Sequence, residues 1–302
     1  MSDHFGLVIR SKPFTFLIGH EKIPFVVHPE AIASQSAALD ALINGDMIEA
    51  QSRTVSWPDV DQDTFVRFCE FCYKDDYSEP DWQTDASVSC GAAEEEEEPK
   101  EEVEEEEDQG NGWGWNVYIE PSIPKREFGR DDTWNFKAPD VALNLPQPYR
   151  GQGKTPAQCY NFHHNSSPEQ DFTPVFLAHA KLYVLADKYG VARLKATVIY
   201  KLHRILQDFM PYNERIGDIV ELVRFTYSDE NTLGRDAGGN DDLRKLVARY
   251  AAFQADVMRS SEAFMELLQT NGELLKNFLT EIGTHTCSLA DELAVWRHHR
   301  CK

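Results

Sequence analysis

The sequence has little cysteine, no long apolar run and a shortage of positive charge, and each scarcity removes a class of protein. Six cysteines in 302 residues (Cys69, Cys72, Cys90, Cys159, Cys287 and Cys301) are too few to staple a secreted disulfide fold. No apolar stretch approaches the ~18 residues of a membrane-spanning helix. Met1 to Arg10 lacks the basic start and apolar stretch of a secretory signal. The expectation is an intracellular protein, cytoplasmic or nuclear. Against 51 Asp and Glu stand 30 Lys and Arg, a net charge of −21, so clustered cations for phosphate are missing and neither nucleic acid nor a membrane is an expected partner. Also missing are a phosphate-binding glycine loop, a Gly-x-Ser-x-Gly elbow and a His-Glu-x-x-His helix. No catalytic residue, cofactor or metal is expected, and the chain reads as a non-enzyme.

What is present is a core-forming composition with its charge concentrated in one place. Hydrophobic residues make up 41% and aromatics 11%, enough to bury a core. Glu94 to Asp108 holds twelve acidic residues and one lysine, so fifteen residues carry about half of the net charge. This block sits in a longer Pro- and Gly-containing stretch, Ser78 to Asp171, without a sustained period of 2 or 3.6. Self-repulsion and too little apolar surface to offset ordering entropy predict disorder there. Its second half contains Trp113, Trp115, Tyr118, Phe128, Trp134 and Phe136, where some order is expected. Because periodicity is good on both sides, the simplest organisation is one folded module interrupted by an insertion, which loop-closure entropy permits.

The first folded part opens with the apolar runs Phe14 to Ile18 and Ile23 to Val27 around a polar turn, a β-hairpin pattern. Pro29 with Glu30 marks a helix start. Ala38, Leu39, Leu42 and Ile43 give a short helical stripe, and Thr54 to Trp57 alternates as a strand. Phe65, Phe68, Cys69 and Cys72 share one helix face. After the insertion, Ala178, Leu182, Leu185 and Tyr189 predict one helix and Val191, Leu194, Val198, Leu202 and Ile205 a second, with Gly190 as the cap between them. Further helices are expected around Ile216 to Val223, Leu243 to Tyr250, Phe264 to Leu268, Leu274 to Ile282 and Leu289 to Trp296. A Gly- and Asp-rich loop spans Ser228 to Asn240.

The hairpin, the following Phe25-Val26-Val27-His28, the serines Ser34 and Ser36, strand Thr54 to Trp57 and the segment Phe65 to Tyr73 together resemble the BTB/POZ domain. The run Ala180-Lys181-Leu182-Tyr183-Val184-Leu185-Ala186-Asp187-Lys188-Tyr189-Gly190-Val191 is similar to the paired helices that close that domain. The whole resembles BTB proteins of filamentous fungi that carry an extra helical region. The resemblance implies an α+β fold, a small sheet flanked by helices, divided as 1–77 (first BTB part), 78–171 (acidic insertion), 172–210 (closing helices) and 211–302 (C-terminal helical region). It implies a protein-binding activity, as an adaptor or scaffold, with a cullin of a ubiquitin ligase or another BTB chain as partner. In such adaptors a loop before the third strand carries a hydrophobic residue, any residue, then an acid. Met47, Ile48 and Glu49 match that pattern. Met47 packed locally and Glu49 solvated is the plainer alternative. Only about a dozen residues precede Phe14, which leaves dimerisation open.

Four other groups invite a chemical reading. Cys69-x-x-Cys72 has redox spacing but lies on the core face of a helix, which opposes a reactive thiolate and leaves a thiol-dependent enzyme a remote alternative. Cys287, His298, His299 and Cys301 depart from zinc-ligand spacing. His28 is expected to be structural and satisfied by the backbone. His163 and His164 fall inside the insertion.

Overall fold

The computed structural model describes residues 2–88, 165–232 and 241–284. Among the described residues the fold is mixed α/β, mostly helical, with a three-stranded sheet and a separate two-stranded pair. Helix α1 (Ser2–Arg10), which the sequence pattern leaves unassigned, precedes β1 (Phe14–Ile18) and β2 (Ile23–Val27). Phe14, Phe16 and Ile18 are fully buried on one face of β1, so the alternation in sequence becomes one wall of the core. Gly19 takes φ +71° to open the hairpin turn, a conformation that costs glycine little.

β1 is the middle strand. It pairs antiparallel with β2 (Phe16 opposite Phe25) and parallel with β3, Thr54–Trp57 (Phe16 opposite Val55). A parallel neighbour demands a crossover. It is made by three short helices, α2 (Pro29–Ala33), α3 (Ala37–Asn44) and α4 (Ile48–Ser52). Asp61 then caps α5 (Gln62–Lys74), its carboxylate accepting the Thr64 amide at 2.8 Å. The α5 face buries Phe65, Phe68, Phe71 and Cys72, with Cys69 half-buried beside them.

The two ends of the insertion are structured. β4 (Gln83–Thr84) pairs antiparallel with β5 (Gln170–Asp171), a short polar pair inside the stretch where sequence predicts disorder. The acidic run and the Trp113 and Trp134 aromatics lie outside the described residues.

Helices α6 (Thr173–Lys188) and α7 (Ala192–Asp208) follow, turned about Gly190 at φ +67°. Leu182 and Leu185 of α6 and the whole expected α7 stripe are buried, whereas Ala178 and Tyr189 are half-buried. A 3-10 turn (Asn213–Arg215) leads into α8 (Ile216–Thr226), which packs along α6. α9 (Asp242–Phe253), α10 (Ala255–Met258), α11 (Glu262–Thr270) and a helical run over 272–284 complete the described chain. The expected helix from Leu289 to Trp296 lies outside the described residues. One continuous cluster of buried apolar side chains runs from the sheet through α5, α6, α7 and α8 to α9.

Candidate functional site

The corner between α3 and β3 is built from its two ends. At the first, Ser36 caps α3 by accepting the Leu39 amide and donates its hydroxyl to the Tyr189 carbonyl at 2.6 Å. α3 ends at Gly45, where a Cβ would stand 2.3 Å from the Ala41 carbonyl oxygen, so this close exit requires glycine. Met47 is extended and starts α4, its carbonyl accepting the Gln51 amide at 3.2 Å. At the second end Arg53 closes α4 in the left-handed conformation, φ +53°. Its Nε donates to the Pro13 carbonyl at 2.9 Å and its Nη2 to the Lys12 carbonyl. The Thr15 amide donates back to the Arg53 carbonyl at 3.0 Å. The corner is thereby fastened to the start of the central strand.

On this anchored corner Met47 is 60% and Ile48 75% exposed. Covering a methionine or isoleucine of this size is worth about 2 kcal/mol each, so a partner that buried both would gain appreciably. Glu49 is half-buried in the first turn of α4, and its Oε2 is shielded from solvent without a hydrogen-bond partner among the described residues. Sequence reasoning expects a loop here. The structure instead forms a helix of five residues, because Gly45 and Arg53 fix both ends while Ile48 to Ser52 carries no apolar stripe to announce it.

The competing candidates resolve differently. His28 is held by Tyr73 and not by the backbone. Its amide donates to the Tyr73 hydroxyl at 2.9 Å, and its Nδ1 lies 3.0 Å from the same oxygen. Burial pushes the Cys69 thiol up to about 12 and the Cys72 thiol up as well, which keeps both protonated at neutral pH. Cys287, His298, His299, Cys301, His163 and His164 lie outside the described residues. Among the described residues no cluster of three metal-ligating side chains occurs, and no helix is long and apolar enough to cross a membrane.

Two features escape the sequence reading. On α1, Val8 is buried while Phe5, Leu7 and Ile9 are exposed, and Phe5 and Val8 line a cleft of about 420 Å³ with Ala31, Cys72, Tyr73 and Arg193. The apolar spacing of Phe5, Val8 and Ile9 is the signal that was available. The second is a charged cluster in which Arg215 faces Asp85, Asp171 and Asp218, residues with no common motif. Compared with known families, curated proteins and solved structures, the chain matches none.

Proposed function

We propose that the chain is a non-enzymatic interaction module of the BTB/POZ type, an adaptor or scaffold that docks a cullin through Met47, Ile48 and Glu49. One observation carries the reading: two exposed apolar side chains, followed by the half-buried acid Glu49, stand on a corner held at both ends by glycine and arginine. Apolar groups held rigidly outward cost little ordering entropy when a partner covers them. The frame supports the reading too. A small sheet has its first strand in the middle, α5 packs beside it, and the antiparallel pair α6 and α7 closes it in the order the resemblance implies. The raised thiols of Cys69 and Cys72 weigh against thiol-dependent catalysis. Capture on immobilised cullin tests the proposal. Retention of the native chain and loss of retention by Met47→Ala with Glu49→Ala, at unchanged thermal stability, is the expected result.

A second reading, homotypic or heterotypic assembly without ubiquitin chemistry, is favoured by α1. Phe5 and Ile9 lie one turn apart and both are exposed. Sedimentation velocity of the native chain and of Phe5→Glu with Ile9→Glu separates the readings: assembly through α1 gives a dimer that the variant loses.

A further inference from the structure

The insertion leaves the fold through a neck made of three chain segments. The Asp85 amide donates to the Glu169 carbonyl at 2.7 Å, continuing the β4–β5 pair. The segment leading into α8 grips this pair from one side. Asn165 Nδ2 donates to the Met210 carbonyl and the Met210 amide to Asn165 Oδ1, both at 2.6 Å. The Tyr212 hydroxyl donates to the Ser166 carbonyl at 3.1 Å, and the Phe172 amide donates to Asp218 Oδ2 at 2.8 Å.

Arg215 sits at the centre. Its Nη2 meets Asp85 at 2.5 Å, while its Nη1 stands 3.8 Å from Asp171 and 3.9 Å from Asp218. One guanidinium thus faces three carboxylates, and the latter two distances are too long for hydrogen bonds. The side chains of Arg215 and Asp218 are each only 6% exposed, against 29% for Asp85 and 28% for Asp171. A surplus of negative charge in a site this dry favours uptake of a proton by the carboxylate that water helps least. That carboxylate is Asp218.

We propose that the Arg215 cluster is an acid-tightened lock on the neck of the insertion. A proton on Asp218 removes its repulsion with Asp171 and holds the β4–β5 pair against the start of α8, and the fully ionised cluster holds it less firmly. The groups facing Asp218 are Asp171 and the Phe172 amide at the end of β5, the Thr173 hydroxyl at the start of α6, and Arg215 from its own turn, which brings in Asp85 beyond β4. Desolvation is the largest influence on Asp218 and Asp171 adds to it; together they raise its carboxyl to about 6 against the partial offset of Arg215 and the Phe172 amide. Asp85, in contrast, is drawn down to about 2 by Ser87 and Arg215 and stays ionised throughout. The lock therefore works within the physiological pH range and is independent of any partner at Met47.

Hydrogen exchange on the full chain tests it, read at the Asp85 and Phe172 amides and corrected for the intrinsic pH dependence of exchange. In the native protein, protection of these amides rises roughly ten-fold between about pH 7.5 and about pH 5, as a local opening that returns Asp218 to an ordinary carboxylate requires. Asp218→Asn, which keeps the acceptor for the Phe172 amide without the charge, shows high protection at both pH values. Asp171→Asn, at a more exposed position, moves the midpoint to lower pH and serves if the first variant does not fold. Protection that is flat or falls on acidification of the native chain, an undiminished rise in Asp218→Asn, or an unmoved midpoint in Asp171→Asn would overturn the proposal.

Discussion

The indole of Trp57, at the end of β3, stacks on the ring of Tyr189, at the end of α6, with centroids 4.3 Å apart and planes 19° from parallel. Trp57 also makes edge-to-face contacts with Phe16 and Phe65 and a tilted one with Phe68, and Ser36 reaches the Tyr189 carbonyl from α3. The residues before and after the acidic insertion therefore belong to one core. Trp57→Ala should cost about 3–5 kcal/mol and Tyr189→Ala less. The double variant should fall short of the sum by about 0.5–1.5 kcal/mol, the part of the stacking that exceeds area burial. Denaturant unfolding of the four proteins measures this. Strict additivity would show that the two rings are independent.

The β4–β5 pair returns the chain to nearly the point from which it left. Replacing residues 89–164 by a short flexible linker should preserve a single cooperative thermal transition, since loop length alters closure entropy only slowly. Extending the cut to 78–171 removes Asp85 and Asp171, two of the three carboxylates facing buried Arg215, and should lower the melting temperature further. Calorimetry of the two deletions distinguishes them.

On α6, neighbouring residues have opposite sensitivities. Leu185 is buried, and Leu185→Asp places an unpaired carboxylate in the core at a cost of several kcal/mol, comparable with total domain stability. Lys188 pairs with Asp59, but both side chains are about half exposed, so Lys188→Ala should cost under about 1 kcal/mol. Equal thermal stability of the two variants would contradict the burial of this face.

His179 gives the fold a dependence on acid. The ring is fully buried, its Nδ1 lies 2.7 Å from the Tyr77 hydroxyl, and desolvation, aided by Lys201 and Arg67, presses its pKa down from 6.5 to about 3. In the unfolded chain the imidazole takes a proton near its ordinary value while the folded protein does not. The contribution is complete above about pH 6.5 and is lost progressively as pH falls from there toward 3, on the order of a few kcal/mol. Asp218 acts in the opposite sense. Its raised carboxyl favours the folded state increasingly as pH falls from about 6 toward its ordinary value of 3.8. Between about pH 6 and 3.8 the two oppose each other proton for proton and nearly cancel, so His179→Gln, which leaves Asp218 unopposed, should make stability rise as pH falls from about 6 toward 4.5 where the native protein stays nearly level. A stability profile of the same slope in both proteins would show that His179 does not govern the acid response.

Much of the fold is legible in the sequence because it is written in periodic burial. The alternation in Phe14, Phe16 and Ile18 and the stripes of α5, α6 and α7 reappear as core faces. Glycine at 190 marks the turn it makes. Elements without periodicity escape: α4 is defined by its two ends, and β4 and β5 are two polar residues each, paired only because distant segments meet. The same holds for charge. Asp85, Asp171 and Asp218 are far apart in sequence, and only the fold brings them around Arg215. At the candidate site, Met47, Ile48 and Glu49 can be read as a short pattern, whereas their presentation depends on Arg53 reaching Lys12 and Pro13.

Docking through these three residues is tested most directly by titration calorimetry of purified cullin into the native chain and into Met47→Ala with Glu49→Ala. Truncating a central apolar anchor together with its polar neighbour should weaken binding by about 2–4 kcal/mol, a thirty-fold loss or more. Melting temperatures should remain matched, because Met47 is exposed and Glu49 is only half-buried. Saturable binding by the native chain that the double variant loses is the predicted result. No binding by the native chain, or equal binding by both proteins at matched stability, would contradict it.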